Sequence, residues 1–100
     1  MKTLPVRVGE EADADIINAA MWYAQRSERI AIGFIDAVYR ELAYIALFPN
    51  GAPRVRGTTR GVVVRGFPFA ILYRPLKDHI AVFRVFHTSQ NPKKKSRRKK

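Results

Sequence analysis

The chain is 100 residues long, with 19 Lys and Arg against 8 Asp and Glu, a formal net charge of +11. That length suits one domain, and 47% hydrophobic residues exclude global disorder. There is no cysteine, and the longest uncharged stretch, Leu42 to Pro53, is 12 residues with two prolines and a glycine, so disulfide, thiolate-metal and cysteine-nucleophile chemistry and a membrane span are all excluded.

Lys2, Pro5 and Arg7 interrupt the apolar run that a secretory signal needs, so a cytoplasmic protein is expected. Leu4 to Val8 alternates apolar and polar residues around Pro5, which predicts a short strand at or near a sheet edge. From Glu10 the period becomes helical. Ala12, Ile16, Ala19, Ala20 and Tyr23 recur on one face, and Glu10, Glu11, Asp13 and Asp15 crowd the first turns, where negative charge complements the helix dipole. Ser27 offers an N-cap for a second helix with Ile30, Phe34, Ile35, Val38, Leu42 and Ile45 on one face. Gly33 weakens that helix by up to ~1 kcal/mol relative to alanine, which a close approach of the two helices would explain. Phe48-Pro-Asn-Gly51 ends the helix, and the short link makes the pair an antiparallel hairpin.

Residues 52–59 read as a loop with Arg54 and Arg56. Three strand-like runs follow: Gly61 to Arg65, Phe69 to Tyr73 and Ile80 to Phe86. The second is apolar on both faces and should be central. The connections, Gly66-Phe67-Pro68 and Pro75 to Asp78, suit hairpins. The order β-α-α-β-β-β predicts an α+β domain over residues 1–91, with the helical hairpin packed on an antiparallel sheet that ends in a three-strand meander.

The charge is uneven. Residues 1–45 carry a net −2 and residues 46–91 a net +6. Residues 92–100 hold Lys93, Lys94, Lys95, Arg97, Arg98, Lys99 and Lys100 and no apolar side chain, so they read as a disordered basic tail. The tail could contact nucleic acid non-specifically or merely aid solubility. If all seven cations engage duplex DNA, deleting them flattens the slope of log K against log salt by about six.

Leu-Phe-Pro-Asn-Gly (47–51), Gly-Phe-Pro-Phe-Ala-Ile-Leu-Tyr-Arg (66–74) and Ile-Ala-Val-Phe-Arg-Val-Phe-His (80–87), in this order after a helical hairpin, resemble the ParE/RelE toxin superfamily. The closer branch is ParE, the plasmid stabilisation type. The resemblance runs from about Val6 to Pro92. It implies the α+β fold above and a toxin of a type II toxin–antitoxin system. ParE-like members are associated with DNA gyrase, whereas RelE-like members cleave messenger RNA on the ribosome. Both are neutralised by a cognate antitoxin, often with a DNA-binding half. The family commonly has a cation in the central strand where this chain has Ala70, and often arginines after the last strand where it has Thr88-Ser89-Gln90. These departures favour target binding over RNA cleavage, or a non-toxic relic that only binds an antitoxin.

The candidate target- or antitoxin-binding residues are Trp22, Arg54, Arg56, Arg60, Arg65, Arg74, Arg84 and His87. The arginines could share a face and meet phosphates or carboxylates. A nuclease would draw on Arg54, Arg56, Arg65, Arg84 and His87, because RNA cleavage needs a base for the 2′-hydroxyl and cations for the phosphorane. His87 serves equally well as a structural hydrogen-bonder, and His79 should be exposed. Tyr44 and Tyr73 read as core residues. Trp22 and Tyr23 cannot both face the sheet, so one should line an exposed groove or cap the hairpin. No cofactor, metal or membrane contact is expected.

Overall fold

The structure, a computed structural model, describes residues 3–90; the basic tail, residues 92–100, lies outside them. Strand β1 (Val6–Val8) leads into α1 (Glu10–Ala24) and α2 (Glu28–Leu47). Strands β2 (Arg54–Arg56), β3 (Thr59–Val63), β4 (Phe69–Pro75) and β5 (Ile80–His87) follow, and a 3-10 turn covers Thr88–Gln90. The five strands form one sheet in the order β1-β5-β4-β3-β2. β3, β4 and β5 are the antiparallel meander, and β1 lies parallel to β5 at the edge, with Val6 opposite Ile80. The α+β architecture expected from the sequence is present.

One element differs. Residues 52–59 are not only a loop, because Arg54–Arg56 forms a short strand on β3. Two glycines permit this. Gly57 turns the chain at φ +53°, a conformation that side chains resist. Gly61 leaves room for Val55, whose Cγ1 lies 3.2 Å from where a Cβ would stand.

The helices start for readable reasons. The Ser27 hydroxyl accepts the Ile30 N–H at 3.3 Å and caps α2. α1 has no side-chain cap, but Glu10, Glu11 and Asp13 fill its first turn. Both helices cover one face of the sheet. Phe34, Val38, Ile45, Ile71, Tyr73, Ile80 and Val82 form the centre of the core, each at most 1% exposed. Four aromatic rings, Tyr23, Phe34, Phe67 and Phe69, pack with centroids 5.1–6.2 Å apart. Tyr73 is buried as expected, and its hydroxyl donates to the Pro49 carbonyl at 3.1 Å.

Four expectations are corrected. Ile30 is exposed, because the buried stripe of α2 runs one position later, through Ala31, Phe34, Ala37, Val38, Leu42 and Ile45. Tyr44 is 49% exposed and stacks on Phe48 at 5.0 Å instead of entering the core. Gly33 does not mark a close helix approach, since a Cβ there would meet the Phe67 ring at 3.9 Å, ordinary contact. His79 is not exposed. Its side chain keeps 20% of its surface, and Nδ1 bonds the Asp78 carboxylate at 2.8 Å, which holds that carboxyl below its usual range.

Candidate partner-binding site

β1 is short, and this leaves a groove beside β5. Its pairing with β5 ends at Val8 opposite Val82. Beyond that point α1 and the outer part of β5 flank a groove of about 600 Å³. Trp22 and Tyr23 from α1, Phe69 from β4, and Arg84, Val85 and His87 from β5 line it. Trp22 and Tyr23 divide the two roles the sequence predicted. Tyr23 turns inward to the aromatic cluster, and burial raises its hydroxyl pKa. Trp22 stays 52% exposed. Its ring meets Tyr23 edge-on at 5.2 Å, and the Arg26 guanidinium sits 3.7 Å from its centroid. That cation–π contact is reinforced by Arg26 Nη1 donating to the Trp22 carbonyl at 3.1 Å.

His87 forms one wall. Its ring stands edge-on to Phe69 at 5.2 Å. Nδ1 accepts the Ser89 N–H at 3.1 Å and contacts the Ser89 hydroxyl at 2.7 Å. An acceptor at Nδ1 means that the neutral ring carries its proton on Nε2. The free nitrogen is then a donor.

The six candidate arginines do not form one patch. Opposite residues of an antiparallel pair share a face, so Arg54 and Arg60 lie with Tyr73 on the helix side. Arg60 Nη1 donates to the carbonyls of Ala52 and, at 3.3 Å, Asn50, which pins the loop before β2. Arg74 lies on the open side, with Nη2 3.3 Å from the Thr59 hydroxyl and its guanidinium 5.6 Å from the Phe83 centroid. Arg56, opposite Thr59, shares that side. Arg65 is exposed in the β3–β4 turn. Gly66 occupies the third position of that turn at φ +87°, as a type II turn requires. Arg84 sits at the free edge, bonded to Asp15 through Nε at 2.8 Å and Nη2 at 3.2 Å. These bonds raise its pKa further.

Asp15 is the residue that sequence reading missed. It read as one more acid in the first turns of α1. The available signal was its place on the helix, since Asp15 follows Ala12 by three and precedes Ala19 by four, and both are buried. An acid bordering a buried stripe is placed to reach the sheet. The open sheet face, with Leu72, Phe83 and Phe86 half-buried, was also not distinguished from core.

The arrangement has known relatives in shape. A chain in a solved structure described as "Chromosomal ParDE TA system from P. aeruginosa" superimposes with a TM-score of 0.75. The match covers 85% of this chain and 96% of that one, at 16% sequence identity. The chain has a ParE-like fold. No protein-family model and no curated protein sequence matches it. No helix among the described residues is long and apolar enough to cross a membrane.

Proposed function

We propose that this chain is a ParE-like toxin of a type II toxin–antitoxin pair, which acts by binding a macromolecular target and is neutralised by a cognate antitoxin. The observation that carries this reading is the likeness of nearly the whole described fold to a ParDE chain. The groove beside Trp22 supports it, because an exposed aromatic next to a half-open apolar floor is the kind of surface a protein partner covers. The resemblance to the ParE branch favours DNA gyrase as that target. The antitoxin would be a small DNA-binding protein encoded by a neighbouring gene.

RNA cleavage is the less supported alternative. Of the cations such a mechanism would recruit, Arg84 is held by Asp15. The His87 acceptor nitrogen is engaged by Ser89, so a base there would first have to break that contact. Inducing the chain in bacteria that carry a DNA-damage reporter and a pulse label for translation tests the assignment. Gyrase poisoning predicts reporter induction before translation falls. A prompt loss of translation with cut messenger RNA and no reporter signal would replace this reading with the ribonuclease one.

A further inference from the structure

Charge in this molecule is sorted by layer. Of the eight acids, four lie in α1 and three in α2. The eighth, Asp78, sits in the β4–β5 turn beside His79. The five strands contain no acid, and each carries at least one arginine. Both layers also leave apolar surface on the side that faces away from the core.

On the helical layer this surface is a groove of about 450 Å³ between α1 and α2. Ile17, Met21, Ile32 and Tyr39 line it, and each is at least half exposed. The spacing Glu28, Ile32, Ile35, Tyr39 is that of one helix face. Asp13 and Glu28 are the charged groups of the lining. On the sheet layer the surface is the open face. It offers Val63, Leu72 and Phe83 as apolar contacts, with Arg7, Arg56 and Arg74 exposed around them. A sheet face is ordinarily covered by helices or by a second sheet, and α1 and α2 cover only one side. The hairpin of another copy has the form of the missing layer. Its acids also have the sign opposite to the arginines it would meet.

We infer that a second copy of the chain docks its α1–α2 groove on the open sheet face, so that copies associate head to tail. The inference does not depend on the toxin reading. The apolar patches form the centre of the contact, and acids against arginines form its rim. The net charge of +11 opposes association, so the apolar centre supplies the attraction and the rim the direction. A groove-to-groove pair would set acids against acids, and a sheet-to-sheet pair arginines against arginines. The two docking surfaces lie on opposite sides of the molecule. Each added copy therefore leaves one of each free, and growth continues unless a ring closes.

The test is sedimentation velocity of the full chain, freed of nucleic acid by nuclease and high salt. The concentration series should reach about 1 mM, the weak end of measurable affinity. The mean mass should rise with concentration past that of a dimer. Ile32→Arg blocks the groove and Val63→Glu blocks the sheet face. Both positions are more than half exposed, so both variants should fold. Each alone should associate about tenfold more weakly or less, the scale of one misplaced charge. An equimolar mixture of the two should form a dimer that grows no further, because one variant keeps the sheet face and the other keeps the groove. A Val63→Glu variant that still dimerises by itself would mean a groove-to-groove pair and overturn the inference. So would a parent chain that stays monomeric throughout the series, or oligomers that vanish once nucleic acid is removed.

Discussion

On the helix side of the sheet, Ile71, Tyr73, Val82 and Val85 alternate with residues that point away, and each is at most 2% exposed. On the other side of the same strands, Leu72, Phe83 and Phe86 are half-buried, Val63 is 60% exposed, and Arg7, Arg56 and Arg74 stand among them. The backbone is shared, so the difference comes from what covers it. Helices α1 and α2 dehydrate the centre of one face. Among the described residues no element covers the other face, yet it keeps aromatic and aliphatic side chains. The covered face stabilises the fold, and the uncovered face and the β5 edge are free to carry binding.

Substitutions can break this division, and the largest effect should come from the covered face. Phe34 is fully buried and touches Tyr23, Phe67 and Phe69. Phe34→Ala should cost about 3–5 kcal/mol by chemical denaturation, a large share of the roughly 5–15 kcal/mol of a typical domain. A cost below about 1 kcal/mol would mean that the aromatic cluster is not the centre of the core.

Tyr73→Phe should cost about 1 kcal/mol at neutral pH through the lost bond to the Pro49 carbonyl. It should also change the response to base. Burial raises the Tyr73 hydroxyl, opposed in part by nearby Arg60. A group whose folded pKa lies above its unfolded value stabilises fully below the unfolded value, near 10 for tyrosine. That share is lost as pH rises from there through the folded value. Tyr73→Phe should therefore lose less stability between neutral and strongly alkaline pH than the parent chain.

Gly33→Ala sharpens the division from the other direction. The added methyl meets only the Phe67 ring at 3.9 Å, so helix propensity decides, and stability should rise by about 0.5–1 kcal/mol. A loss of stability would mean that the α2–sheet contact is tighter than this spacing. The smallest effect belongs to the open face, where Val63→Thr should move the denaturation midpoint by less than the equivalent of about 0.5 kcal/mol.

The sequence made the covered side legible and the open side much less so. β4 was recognisable as central because Phe69 to Tyr73 is apolar on both faces, and the structure places it between β3 and β5. Ser27 and the acids of α1 marked helix starts through local chemistry that needs no tertiary partner. β2 escaped because three residues carry no period, and its pairing depends on the Gly57 turn and the space at Gly61. Ile30 and Tyr44 were misplaced because an apolar side chain on the shoulder of a long helix looks like one on its buried stripe. The arginines were the hardest to assign. Strand parity cannot be read through the irregularities beside Arg54/Arg56 and Leu72/Tyr73. Asp15 meets Arg84 across 69 positions of chain, a contact no local pattern encodes.

Colony counts after induction of the full chain, with and without the neighbouring open reading frame, test the central claim most directly. The account predicts a loss of viability on induction of the chain alone and recovery when the neighbour is expressed with it. Unchanged viability on induction of well-folded chain would contradict it and leave only an antitoxin-binding relic.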